Sequence, residues 1–146
     1  MLIYISHSAS DSRLYKLLRD QFEKKGFAVI SREGPFEFGE VLSQKGKRRI
    51  DLADVIVMLL TARGRSSYRV FQETEFIHSI HKNHFVIEGT GRKAEIKKNF
   101  YESNVAPESD RNYYSTISAL EKLLMEFALK ANPEAFNFIY HTDMVY

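Results

Sequence analysis

The chain has no cysteine and no tryptophan, and only 3 prolines and 7 glycines in 146 residues. Without thiols there is no disulfide, no thiolate zinc site and no cysteine nucleophile. Long hydrophobic runs are missing too. The longest uninterrupted apolar stretch, Val55 to Leu60, is far short of the ~20 residues a membrane helix requires. The sequence enters Leu2-Ile3-Tyr4-Ile5 at once, with no basic leader and without the ~7–15 apolar residues of a secretory signal. A cytoplasmic protein with no membrane partner is therefore expected. Nor does charge of one sign dominate: 21 Lys and Arg against 19 Asp and Glu leave +2. Nucleic-acid binders concentrate their basic residues in a stripe. The one dense cluster here, Lys45, Lys47, Arg48 and Arg49, falls in a helical stretch and reads as a solvated face, so no nucleic-acid partner is expected.

What is present suffices for one folded unit. Hydrophobic residues make up 44%, with 11 Phe and 8 Tyr for the core. The length fits a single domain over residues 1–146.

Patterning alternates between strand and helix. Leu2–Ile5 reads as a buried strand that runs into Ser6-His7-Ser8-Ala9-Ser10-Asp11, a polar loop and helix start. Leu14, Leu17, Leu18 and Phe22 then recur at helical spacing, and Lys24-Lys25-Gly26 supplies cations and a left-handed exit for the last turn. A short strand, Phe27 to Ile30, precedes a loop from Ser31 to Gly39 that also carries Gly34 and Pro35. Val41, Leu42 and Ile50 mark a helix ending near Leu52, and Val55 to Leu60 suits a central parallel strand buried on both faces. After a polar loop from Thr61 to Ser67, a helix is expected from Tyr68 to His81, with Val70, Phe71, Thr74, Ile77 and Ile80 on its apolar side. His84 to Ile87 looks like a fourth strand, bounded by Gly89 and Gly91. The stretch from Arg92 to Asn112 shows no clear pattern. Ile117, Leu120, Leu123, Leu124 and Phe127 define a long helix that stops near Asn132-Pro133, and an aromatic tail (Phe136, Phe138, Tyr140, Tyr146) is expected to pack back on the body.

Such alternation predicts an α/β fold: three layers, with a parallel sheet flanked by helices. Sheets of this kind bind ligands beyond the carboxyl ends of their strands, where strand order reverses. That rule points to the loops at 6–11, 31–39 and 61–67.

Glu73 stands six residues after Ser67, with Val70 and Ile77 at i−3 and i+4, at the edge of the helix stripe. A carboxylate there either faces a pocket or is a solvated surface group, as Glu75 is expected to be. His7 and Ser8 follow the first strand directly and can reach a phosphate or ribose, while Ser8, Ser10 and Asp11 also suit a helix cap. His78, His81 and His84 are spaced by three, but no carboxylate or thiolate completes a set, so no metal site is expected. No Walker loop, dinucleotide glycine fingerprint or Ser nucleophile elbow occurs.

The segments Tyr4-Ile5-Ser6-His7-Ser8-Ala9-Ser10-Asp11, Ile50 through Thr61, and Ser67-Tyr68-Arg69-Val70-Phe71-Gln72-Glu73 together resemble, in order and spacing, the conserved boxes of TIR domains, prokaryotic stand-alone ones in particular. The resemblance spans residues 1–91, and residues 92–146 form a less typical, helical C-terminal part. It implies a flavodoxin-like fold in which the 31–39 loop gates the pocket and mediates self-association. It further implies NAD as substrate rather than cofactor, with Glu73 helping to cleave the nicotinamide–ribose bond. The products are ADP-ribose or a cyclic isomer that signals in antiviral defence, read by a separate effector protein. Ser6, His7, Ser8, Gly39, Ser67 and Arg69 match positions around that ligand. Many active members carry Trp four residues before the Glu, whereas this chain has Arg69, which suits a phosphate or an acid. Two alternatives stay open: a non-catalytic TIR adaptor that acts by assembly, and a deoxyribosyltransferase-like nucleoside glycosidase.

Overall fold

In the computed structural model the described residues are 1–30, 42–61, 67–90, 93–101 and 110–130. The 31–39 loop with Gly39, most of the loop after Leu60, and the aromatic tail lie outside them. The described chain runs β1 (Leu2–Ser6), a 3-10 turn (Ala9–Asp11), α1 (Ser12–Lys24), β2 (Ala28–Val29), α2 (Gln44–Leu52), β3 (Val55–Leu60), α3 (Tyr68–Ser79), β4 (His84–Thr90), β5 (Lys93–Asn99) and α4 (Asp110–Lys130).

Five strands form one sheet in the order β2-β1-β3-β4-β5. β1 pairs in parallel with β2 and β3, and β3 with β4, while β5 folds back antiparallel on β4. The architecture is α/β, consistent with a flavodoxin-like three-layer fold.

Period-2 alternation divides the sheet between two cores. Ile3 and Ile5 of β1, Val55, Val57 and Leu59 of β3, and Phe85 and Ile87 of β4 share one core with α1 and α4. Tyr4, Ile56, Met58 and Val86 point the other way and pack with Ile50 of α2 and Ile77 of α3. β3 is buried on both faces, as its continuous apolar run requires.

Helix faces follow the same logic, with some departures from the expected pattern. In α1, Leu14, Leu18 and Phe22 are buried as expected, but Tyr15 joins them and Leu17 is half exposed. Gly26 takes the left-handed exit, with φ +87°. Ser43 caps α2 and Ser67 caps α3, each accepting a backbone N–H three residues on. All five expected apolar positions of α4 are buried, and they enter the same core as β1 and β3. The described part of the C-terminal region, through α4, thus closes that core.

β5 was not legible in the sequence. Glu95, Lys97 and Lys98 give it little apolar alternation, and Ile96 packs against the core. Charge on an edge strand discourages pairing with other chains, and it also erases the strand signature. β4 is correspondingly longer than expected and continues to Thr90.

The three histidines of the 78–84 region part company. His78 and His84 have ring centroids 5.3 Å apart, while His81 stacks on Tyr101 at 5.1 Å. Among the described residues no three potential ligands converge on one point. Burial of His84 pushes its pKa below the ordinary 6.5. The hydrogen bond to the Lys82 carbonyl opposes that shift and the neighbouring His78 adds to it. The unfolded chain therefore takes up this proton more readily. The stability linked to His84 is present above pH 6.5 and is lost as pH falls through that value toward the lower folded pKa. We expect the urea midpoint to decline between about pH 7.5 and about pH 5, and to decline less in His84→Gln. Equal slopes for the two proteins would remove His84 from the acid sensitivity.

Candidate functional site

Strand order reverses between β1 and β3, because the chain steps outward to β2 before it crosses back. The crevice expected of such a reversal lies beyond Ser6 and Leu60. Three of the four strand-end residues nearest to it are polar and buried: Ser6, His7 and Thr61.

Glu73 lies on the core side of α3. The buried residues of that helix are Val70, Glu73 and Ile77, so the carboxylate occupies the middle of the stripe rather than its edge. Phe71, expected on the apolar side, is 57% exposed, and Glu73 itself is 0% exposed. The solvated surface reading of this Glu is thereby overturned. A carboxylate removed from water needs hydrogen-bond donors. Two come from the same face of β1: the Tyr4 hydroxyl donates to Oε2, and Ser6 Oγ donates to Oε1 at 3.1 Å. Arg69, one turn earlier on α3, brings Nε to 3.9 Å from Oε2. Its side chain is only 11% exposed.

A second cluster ties the two strand ends together. Asp11 Oδ2 accepts the hydroxyls of Ser8 (2.9 Å) and Thr61 (2.5 Å). Asp11 sits at the N-cap position of α1, but its side chain makes no capping bond. Its expected role as a cap is thus replaced by a cross-link between the β1 and β3 loops. Ser8 likewise makes no capping bond to the 3-10 turn. His7 lies flat on Tyr15, with centroids 4.2 Å apart and planes within 6°, and its Nδ1 is 3.3 Å from the Ile5 carbonyl.

Of the residues singled out from the sequence, Ser6, Arg69 and Glu73 are brought into contact. His7 and Ser8 stand at the end of the same strand and are buried. Ser67 caps α3, its Oγ accepting the Val70 N–H at 3.2 Å. Gly39 lies outside the described residues. Sequence reasoning missed Tyr4 and Thr61. The signal for Tyr4 was there: it and Ser6 share one face of a strand whose other face is Ile3 and Ile5.

Among the described residues, surface clefts lie elsewhere. One of about 540 Å³ is lined by Met1, Phe27, Ser115 and Leu123, at the amino-terminal end of β1. Another, about 400 Å³, runs between α2 and α3 past Lys47, Tyr68 and Phe71. Neither includes Glu73 in its lining. Among the described residues no helix is long and apolar enough to cross a membrane.

Comparisons with protein families, with curated proteins and with solved structures found no match to this chain. What fold and site define is a class: a three-layer α/β protein with a buried, hydroxyl-clasped glutamate beside the reversal point of its sheet.

The Asp11 cross-link has a measurable consequence. Asp11→Ala removes the carboxylate oxygen that accepts from the buried Ser8 and Thr61 hydroxyls, and we expect a loss of about 1–3 kcal/mol in unfolding free energy. Urea denaturation checks this, and a loss within the error of the midpoint would mean that the two loops are held by other contacts.

Proposed function

We propose that this chain is a TIR-type enzyme that cleaves NAD between nicotinamide and ribose, yielding ADP-ribose or a cyclic isomer as a signal in prokaryotic defence. The observation that carries the reading is Glu73: a fully buried carboxylate, held from β1, at the strand ends where such sheets bind ligands. Its position agrees with the TIR resemblance of the 67–73 segment.

The chemistry needs little more than a placed negative charge. Heterolysis of the glycosidic bond sends the electron pair to nicotinamide, which departs neutral. The ribose left behind carries oxocarbenium-like positive charge, and a nearby carboxylate stabilises it or holds the ribose hydroxyls. Water then adds at the anomeric carbon and loses a proton to give ADP-ribose. Attack by a nucleophilic atom of the same ADP-ribose gives a cyclic product. Ser6, His7 and Ser8 at the end of β1 would border the ligand, with Arg69 available to its phosphates. The 31–39 loop, Gly39 included, would close the pocket and mediate self-association, and a separate effector would read the product.

One observation favours a second reading. Arg69 lies beside Glu73, 3.9 Å from Oε2, and by the TIR resemblance it stands at a position where many active members carry a Trp. A chain whose Arg69 fills that place permanently would act as a TIR adaptor, by assembly alone.

Nicotinamide release from NAD by concentrated protein, beside Glu73→Ala, tests the proposal. We expect release by the wild type and a drop of at least about 100-fold in the variant, as for loss of one electrostatic stabiliser of the transition state. Equal background from both, across concentrations and with crowding agents, would overturn NAD cleavage and favour the adaptor. Base release from a deoxynucleoside instead would point to the glycosidase.

A further inference from the structure

We infer that Tyr4 is the positioning residue of the site: it fixes one oxygen of Glu73 from within the core and leaves the other to meet the ligand. The inference rests on the NAD-cleaving reading for its consequence in catalysis, but its geometry stands apart from it.

Tyr4 and Ser6 are two residues apart on β1, so their side chains share a face and lie about 7 Å apart along the strand. Tyr4 is the inner of the two, 1% exposed and packed among Ile56, Met58 and Ile77. Ser6 is the last residue of the strand, next to the crevice. The carboxylate is divided accordingly. Oε2 takes the phenol from the core side, and Oε1 takes the Ser6 hydroxyl at 3.1 Å toward the strand end.

The two donors differ in how easily they yield. The Tyr4 ring is locked in packed surroundings, 1% exposed within the core cluster, so its hydroxyl cannot swing away without moving its neighbours. The small Ser6 hydroxyl rotates freely about one bond and can pass Oε1 to an incoming ribose hydroxyl or cationic ribose carbon. Tyr4 never touches substrate in this arrangement. It acts through Glu73, by stopping the carboxylate from swinging as charge develops.

A residue of this kind affects turnover rather than binding. In Tyr4→Phe, assayed as the full chain, we expect kcat for nicotinamide release to fall about 10–100-fold, with KM within about twofold of wild type. Circular dichroism and thermal melting establish that the variant is folded. Unchanged kcat, or a raised KM with kcat intact, overturns the inference. A readout independent of any substrate separates this from failure of the NAD reading. The Tyr4 hydroxyl proton, followed by NMR in the wild type, is expected downfield and to move upfield in Glu73→Gln, whose neutral amide is the weaker acceptor. If the wild type cleaves no NAD, that shift still decides whether Tyr4 anchors Glu73. A hydroxyl resonance that is the same in both proteins overturns the anchoring, and it does so even if Tyr4→Phe fails to fold.

Discussion

A carboxylate on the inward face of a helix must find donors in the protein or stay in contact with water, and much of this structure is arranged around that demand at Glu73. The helix that carries it packs on the one sheet face where β1 offers hydroxyls instead of branched aliphatics. The opposite face of β1, with Ile3 and Ile5, has no polar group to give. α3 therefore cannot exchange faces with α1 or α4 without taking Glu73 away from its Tyr4 and Ser6 donors. The same constraint fixes the register of β1 against β3, since a slip of one residue would turn Tyr4 and Ser6 to the wrong side.

Much of the fold follows from periodicity because most of its elements are either buried on both faces or amphipathic. β3 is a continuous apolar run, and α4 shows its five core positions at regular helical intervals. Periodicity fails where charge or aromatic residues sit on mixed faces. β5 carries lysines that suit a sheet edge and therefore reads as no element at all. Phe71 of α3 looks like core but faces solvent beside the cleft against α2, and Glu73 looks peripheral but is buried. An apolar-pattern reading assigns those two residues in reverse, because it assumes that a core accepts no carboxylate. Only the strand partners make that assumption false here, and they are nearly 70 residues distant in the chain.

The candidate site was legible in part for the same reason. Residues at the ends of β1 and β3 are placed by topology, so Ser6, His7 and Ser8 could be named from the sequence. Long-range pairings such as Thr61 with Asp11 leave no local trace. Asp11 shows how a local rule misleads. An Asp just before a helix is an expected cap, yet this one spends its Oδ2 on two hydroxyls from two different loops. The two strand ends that border the crevice are thereby held at a fixed separation.

Arg69 is compatible with ligand binding for a reason of distance and charge. Its Nε stands 3.9 Å from Glu73 Oε2, beyond hydrogen-bond range, whereas Ser6 reaches the other oxygen at 3.1 Å. At that distance the two charges attract electrostatically, and another anion can compete for the guanidinium. A dinucleotide carries such an anion in its diphosphate, and guanidinium groups pair with phosphate at least as well as with carboxylate. Under the NAD-cleaving reading, the arriving substrate would draw Arg69 away from Glu73 and leave the carboxylate to face the ribose. The Tyr4 hydroxyl would keep it in place throughout, because the sheet that carries it does not have to move. Under that reading Arg69 would replace stacking by charge, and the choice between enzyme and adaptor would turn on whether a diphosphate competes for that one side chain.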